Sequence, residues 1–473
     1  MFQPKFIDRT EELGFLEERY RSKKAEFIII YGRRRVGKTE LILNFLRDKK
    51  GIYFLASTEG DRENIRDFSL RAGRFIDDEG FGRLEFADWH SLFETLFKHT
   101  AFNEILKRRK VIFVVDEFPF LIYSNKAIPS IFQKIWELIM KKNNIMLLLS
   151  GSAVSVMESE VLDYRSPLYG RRTGQWQLQP LDFSYMKKFL PNYKIRELAQ
   201  VWFVVGGIPE YILKFNPALP FWKNIQENVI KKGAYLYREA EVLLNEEFRE
   251  PKNYKLIFKA IALGHSTLGE ICNYTGLDKS MVSKYLDVLE KLHIVRERIP
   301  VTAPAKFKKR LYSLVDPYFN FWFRYVYPNR IELEANRHEE VLELIRRDFH
   351  VYCGHMFETL IEALVRNKRV LKEFSFSKIG GWWHRDKEID LVALNGEKKE
   401  ALFGECKWQE RVDAERVLAE LRDKARSVDW HRDKREERYA VFAKSFKEKI
   451  EQPDLLLFDM SDLERVLGMT GSK

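Results

Sequence analysis

Eight residues, Gly32-Arg33-Arg34-Arg35-Val36-Gly37-Lys38-Thr39, set two glycines, a lysine and a hydroxyl at the spacing Gly-x-x-x-x-Gly-Lys-Thr. That spacing suits work on a polyphosphate. Gly32 and Gly37 let backbone N–H groups approach phosphate oxygens, which also favour a helix N-terminus. Lys38 is expected to neutralise the β- and γ-phosphates, and the Thr39 hydroxyl to ligate Mg2+. Arg35, Val36 and Glu40 complete the expected nucleotide surround.

Further on, VIFVVDEF ends an apolar run in two carboxylates. Asp116 is expected to hold Mg2+ through water, and Glu117 to polarise an attacking water. IMLLLSGS then offers Ser150 or Ser152 at the end of a neighbouring strand, where a hydroxyl can sense a γ-phosphate. A guanine reader needs Asn-Lys-x-Asp, and Asn125-Lys126-Ala127-Ile128 lacks the aspartate. The expected ligand is therefore ATP with Mg2+.

A second group of residues lies near the other end. FETLIEALV puts Glu358 on an amphipathic helix, and KEIDLVAL puts Asp390 inside an apolar strand, where a carboxylate is costly unless paired or ligated. ALFGECKW places Glu405 and Lys407 two residues apart, hence on one strand face, with Cys406 pointing the other way. Carboxylates converging on one point suit a hard cation such as Mg2+. A lysine beside them can activate water and steady developing negative charge. The expected catalytic groups are Glu358, Asp390, Glu405 and Lys407, with the metal on Asp390 and Glu405. His384 reads as a surface or packing histidine, and Trp382 and Trp383 as core or rim aromatics.

The elements that must position these groups read as α/β. Strands are expected at FIIIY (27–31), GIYFLAS (51–57), VIFVVD (111–116) and IMLLLSG (145–151), alternating with helices as in a mostly parallel sheet. Residues 181–250 read as helical, broken at Gly206-Gly207-Ile208-Pro209. Residues 253–300 read as three short helices with Gly276 in a turn, followed by a basic hairpin, which is winged helix-turn-helix grammar. Across 252–316 twelve Lys or Arg face six Asp or Glu, so more than half of the net charge of +11 lies there. Lys279, Ser280, Ser283 and Lys284 are candidates for a DNA groove, and Lys306, Lys308, Lys309 and Arg310 for phosphates.

With motif following motif, residues 1–250 resemble the archaeal branch of the signal-transducing P-loop ATPases, the STAND class related to AAA+ proteins. The resemblance rests also on Phe6-Ile7-Asp8-Arg9-Thr10-Glu11-Glu12-Leu13, on Tyr169-Gly170-Arg171-Arg172 before LQPLDF, and on Gly207-Ile208-Pro209. It implies that the first segment and Pro209 lie near the adenine. It also implies that Arg171 or Arg172 reaches a γ-phosphate, in the same chain or across a subunit interface. Asp390 with Glu405-x-Lys407 and Glu358 resembles the PD-(D/E)xK nuclease core, in a C-terminal segment of DUF234 type. Ile389 stands where that family often has proline.

The resulting expectation is a P-loop ATPase core at 1–180, a helical lid at 181–250, a winged helix at 251–318, a helical connector at 319–349, and a restriction-endonuclease-like α/β domain at 350–473. The expected activity is an ATP switch coupled to DNA binding and metal-dependent cleavage, with RNA also open and a nucleotide-dependent homo-oligomer as partner. The alternatives are a DNA-binding regulator with an inactive nuclease fold and a protein-remodelling ATPase. No apolar run approaches the roughly 20 residues that span a bilayer, and the N-terminus lacks an apolar signal region, so a cytoplasmic protein is expected. Cys272, Cys353 and Cys406 form no zinc spacing and read as inert thiols.

Overall fold

The computed structural model describes residues 6–248, 250–304 and 306–469, and the chain forms two compact units, 1–181 and 182–473. In the first, the apolar runs become β1 (Glu26–Tyr31), β2 (Gly51–Leu55), β3 (Val111–Asp116) and β4 (Ile145–Gly151). A fifth strand, β5 (Gly174–Gln177), joins them in a parallel sheet ordered β2-β3-β4-β1-β5. Every residue of β1, β3 and β4 is buried, as central strands covered on both faces require. Phe54, Phe68, Trp89, Phe93, Phe113 and Phe132 interlock edge-on and tilted on one face of this sheet.

Two details depart from expectation. β2 stops at Leu55, because the Asn64 side chain takes the Ser57 N–H (2.9 Å) and donates to its carbonyl (3.0 Å), capping the strand with a turn. β5 carries the polar run Gly-Gln-Trp-Gln on a sheet edge, so no apolar signal announces it.

In the second unit the basic segment forms helices Lys252–Ala262, Leu268–Thr275 and Lys279–Lys291, then an antiparallel pair, β6 (Val295–Arg298) and β7 (Leu311–Leu314). Local chemistry sets the helix ends. Thr267 and Glu270 form a capping box, Gly276 ends that helix at φ +70°, and Asp278 caps the next through the Met281 N–H at 2.9 Å.

A second sheet follows: β8 (Lys378–His384), β9 (Lys387–Asn395), β10 (Glu400–Lys407), β11 (Glu436–Ala443) and β12 (Leu455–Phe458), ordered β12-β11-β10-β9-β8. β8, β9 and β10 pair antiparallel, and β10, β11 and β12 parallel. Helix Ala414–Arg426 covers the face bearing Val392, Leu394, Ala401 and Phe403. The helix expected around 357–365 is the end of a single 29-residue helix, His338–Arg366. Its Tyr352 hydroxyl donates to the Phe203 carbonyl at 2.7 Å, and Asp348 accepts from Arg324 and Tyr325 at 2.8 and 2.7 Å. Among the described residues no helix is long and apolar enough to cross a membrane.

Candidate functional sites

The first site forms at the C-terminal ends of β1, β3 and β4. The loop after β1 turns through positive φ at Gly32 (+153°), Arg35 (+69°) and Gly37 (+93°), and Lys38 begins the helix Lys38–Leu46. Gly32 has no space for a side chain, since a Cβ there would meet the Leu178 carbonyl at 2.4 Å. The Lys38 ammonium, buried to 5% exposure, donates to the carbonyls of Gly32 and Arg33 at 2.9 Å each and curls the loop around itself. Val36 is buried, while Arg35, Thr39 and Glu40 are exposed at the mouth. Backbone N–H groups at such a helix start suit a phosphate. The donor set and the open space beside Gly37 therefore fit a nucleotide polyphosphate.

Asp116 closes β3 beside this loop. Its Oδ2 accepts from the Thr39 hydroxyl and from the Tyr53 hydroxyl, both at 2.8 Å, and its Oδ1 accepts the Glu117 N–H at 3.0 Å. Burial, then the Asp116 charge, raises the Tyr53 phenol well above its usual range, so it stays a donor. Glu117 sits at φ +52°, where its Oε2 accepts from the Ser152 hydroxyl (2.7 Å) and the Ser152 N–H (3.1 Å). Ser152 thus holds Glu117 in place, a different job from the expected phosphate contact. The Ser150 hydroxyl is buried without a hydrogen-bond partner.

Arg9, on the segment expected near the base, instead braces the loop. It is 5% exposed at φ +70°, and its NH2 group donates to the carbonyls of Val36 and Gln179 at 2.9 Å each. This clamp joins the loop to the chain leaving β5.

Arg171 and Arg172 line a cleft with Lys23, Lys24, Asn143 and Asn144, which precede β1 and β4 and so mark the N-terminal edge of the sheet. The six residues of β1 put about 20 Å between that edge and the Lys38 loop. Arg171 lies 3.5 Å from Glu137, and Arg172 stacks over Tyr169 at 5.2 Å. The Arg172 guanidinium also acts by charge on the phenol of Tyr31, the last residue of β1 before Gly32, while Arg171 is engaged with Glu137. Pro209 begins the helix Pro209–Ile212 in the second unit, after Gly206 turns at φ +62° against Pro317.

The second site forms on β9 and β10. Their register runs to Gly404 opposite Leu391, beside Glu405 and Asp390, and β9 is irregular at this point, where Gly380 pairs with Val392 but Trp382 with Ile389. Lys424 of helix Ala414–Arg426 acts on both carboxylates. Glu405 is 4% exposed, and its Oε1 accepts from Lys407 at 2.7 Å and from Lys424 of that helix at 2.9 Å. Its Oε2 is buried with no hydrogen-bond partner. Oδ2 of Asp390 accepts the Cys406 N–H at 2.7 Å.

Charge crowding shifts the ionisation of these groups. Burial, then Glu405, pushes the Asp390 carboxyl up to about 7. Burial, then Asp390, pushes Glu358 up to about 9. Burial alone would lower Lys407, but the adjacent Glu405 charge leaves it raised. Such crowded carboxylates and an orphaned Glu405 oxygen fit a divalent cation, held by Asp390 and Glu405. Among the described residues no set of three His, Cys, Asp or Glu side chains is gathered to hold an ion. Glu358 acts on this pair through charge.

Lys424, Glu388 and Arg298, the last on β6, also belong to this neighbourhood, and short-range sequence spacing does not reveal them. His384 is exposed, Trp382 is in the core, and Trp383 is half-buried at the rim. Cys353 and Cys406 are buried and Cys272 half-buried, all three as free thiols. Of the expected nucleic-acid residues, Lys279, Ser283, Lys284, Lys308 and Lys309 are exposed. Arg310 differs: it donates to Glu297 and to the Phe307 carbonyl, so its guanidinium is already engaged across the hairpin.

Known proteins place these features in context. Residues 6–215 match the family described as "ATPase domain predominantly from Archaea", and residues 322–417 match DUF234, described as "Archaea bacterial proteins of unknown function". The uncharacterized protein MJECL04 of Methanocaldococcus jannaschii is 38% identical over 463 residues, which is 97% of this chain and 99% of that one. A shorter likeness, 60% over 45 residues, links 10% of this chain to 76% of the uncharacterized ATP-binding protein MJ0423 of the same organism. In fold, the chain is similar to the Walker-type ATPase PABY2304 of Pyrococcus abyssi, with a TM-score of 0.52 at 22% identity, covering 68% of this chain and 99% of that one.

Proposed function

The chain belongs to the family of archaeal ATPases that join an ATPase domain to a DUF234 segment, and from that premise we propose an ATP-driven switch whose C-terminal unit binds DNA and cuts its phosphodiester backbone. The ATPase-domain match covers residues 6–215. There the Lys38 ammonium would bind the β- and γ-phosphates, and Thr39 and Asp116 would hold Mg2+. Glu117, fixed by Ser152, would orient the attacking water. Arg171 or Arg172 would sense the γ-phosphate, in the same chain or across a subunit interface, and the second arrangement makes the working form a nucleotide-dependent homo-oligomer.

In the second unit, the three helices and the β6–β7 hairpin serve as a winged helix, with Lys279, Ser283, Lys284, Lys308 and Lys309 toward nucleic acid. The observation that carries the nuclease reading is the pair of neighbouring carboxylates Asp390 and Glu405 at the end of the β9–β10 pairing, with Lys407 bonded to Glu405 and Glu358 acting on them by charge. Mg2+ on that pair would supply Lewis acidity, while Lys407 would bind the scissile phosphate and Glu358 would hold a proton near it. Plasmid DNA incubated with the protein, Mg2+ and ATP should be nicked or linearised, and Asp390→Ala and Lys407→Ala should each lose that activity. Plasmid and single-stranded DNA both left intact under every nucleotide condition would reject the reading.

A second reading rests on Glu405. Lys407 and Lys424 both donate to its Oε1, so two fixed ammonium groups already balance its charge. Under this reading the nuclease-like fold is inactive and the protein is an ATP-dependent DNA-binding regulator, which predicts DNA binding that responds to ATP with no strand cleavage.

A further inference from the structure

Between the helix Leu268–Thr275, the β6–β7 hairpin and the turn from β8 to β9 runs an open cleft of about 840 Å3. One wall carries Lys279, Lys308 and Lys309, and the other carries Trp383, Arg385 and Lys387. Lys387 is paired with Asp423 at 2.6 Å. Lys279, Lys308, Lys309 and Arg385 make no ion pair among the described residues, and all four are exposed. The two walls are fastened together. The Val301 N–H donates to the Gly381 carbonyl at 3.0 Å, and the Arg298 guanidinium lies 5.8 Å from the Trp383 ring centre.

The cleft leads toward the carboxylates. Glu388 lies on its rim, two residues before Asp390 on β9, and both carboxylates act by charge on Glu358. Its shape discriminates between forms of nucleic acid. A reading helix must enter a major groove about 12 Å wide, yet Lys279, the first residue of its helix, shares this cleft with the β8–β9 turn. A duplex would have to displace that turn to reach Lys279 and the wing lysines together. A single strand needs only a basic groove and an aromatic face on which a base can stack, and the cleft has both.

We infer that this cleft binds an unpaired stretch of nucleic acid and delivers its backbone to Asp390 and Glu405. Delivery rests on the nuclease reading above; binding does not. The substrate class is thus single-stranded ends, flaps or bubbles, recognised by phosphate charge and base stacking.

The test uses the full chain in EDTA, so that no cleavage intervenes, with fluorescence anisotropy of labelled dT20, of the dT20·dA20 duplex and of U20. The single strand is expected to bind at least tenfold more tightly than the duplex. The plot of log K against log salt should have a slope of about −3, from four phosphate contacts at roughly 0.7 each. The double variant Lys309→Ala/Arg385→Ala should weaken dT20 binding about tenfold or more and flatten the slope by about 1.4. Trp383→Leu should weaken it about tenfold with the slope unchanged. Melting temperatures equal to the parent's would show that the variants are folded. U20 binding as well as dT20 assigns the shared phosphodiester chemistry, and a preference for either names the sugar. Equal or tighter duplex binding, or indifference to both variants, overturns the inference. Asp390-dependent plasmid cleavage without single-strand binding would sink the cleft and leave the nuclease standing. Binding without cleavage would do the reverse.

Discussion

The Thr39 hydroxyl donates a 2.8 Å hydrogen bond to Oδ2 of Asp116, and the Tyr53 hydroxyl donates to that same oxygen at the same distance. The carboxylate proposed to hold Mg2+ is thereby oriented from two sides by neutral donors. Tyr53→Phe removes one donor without removing volume. A neutral hydrogen bond is worth about 1 kcal/mol, so the Mg2+ concentration for half-maximal ATP hydrolysis should fall by up to about fivefold. Titrating Mg2+ at saturating ATP measures this, and an increase would mean that Tyr53 helps the metal bind.

Substituting Lys38 should remove nucleotide binding altogether, because no other ammonium is enclosed by the Gly32–Thr39 loop. Lys38→Ala is expected to lower retention of a fluorescent ATP analogue by at least a hundredfold. If DNA cleavage by this variant still rose on adding ATP, the switch would have to use another nucleotide site.

Arg9 is a stability residue with a kinetic signature. Its two buried charge-assisted bonds hold the Val36 and Gln179 carbonyls, and Arg9→Ala leaves both unsatisfied. A loss of about 2–3 kcal/mol is expected, together with a raised KM for ATP and a nearly constant kcat. Unchanged KM would show that the loop keeps its form without the clamp.

The Glu358 carboxyl titrates near 9 when folded, against 4.5 for an ordinary glutamate. Between those values the unfolded chain gives up a proton that the folded chain keeps, so stability is greatest below about 4.5 and falls as pH rises toward 9. Glu358→Gln should flatten this decline in denaturant melts run in EDTA between pH 6 and pH 9. The parent and the variant showing equal slopes would place the shift elsewhere.

Lys424→Met should act in opposite ways on the two readings of the second site. Freed of one ammonium, Glu405 should bind Mn2+ several-fold more tightly by calorimetry. A site built only to hold the sheet together would lose stability instead, with no gain in metal affinity.

Much of the first site is legible in sequence because its chemistry is local. The loop Gly32–Thr39 and the carboxylates Asp116 and Glu117 each end an apolar strand, and the strand follows from its composition. Glu405 and Lys407 are legible for the same reason, since alternation alone sets their face. What escapes is whatever depends on which end of an element a residue occupies, or on a partner from afar. Arg171 and Arg172 follow the family order, yet order does not say which groups they meet. Ser152 is one hydroxyl at a strand end, and only its 2.7 Å bond to Glu117 shows its role. Tyr53, Lys424 and Arg298 reach their sites across strand pairing and helix packing, which a linear reading does not contain.

The helix His338–Arg366 is about 43 Å long, at 1.5 Å per residue. Tyr352 and Asp348 bolt its middle to the helical region, while Glu358 rides six residues beyond Tyr352. It works as a beam held at mid-span and again around Glu358, by Glu362 on Arg296 and by buried Phe357, Leu360 and Ile361, so a shift at the clamp is passed along it to the Glu358 carboxyl. Gly354 sits between clamp and Glu358 with open space where a side chain would be, a notch in the beam. Gly354→Ala should stiffen it by about 1 kcal/mol, trading compliance for load transfer between the clamp and the carboxylate pair.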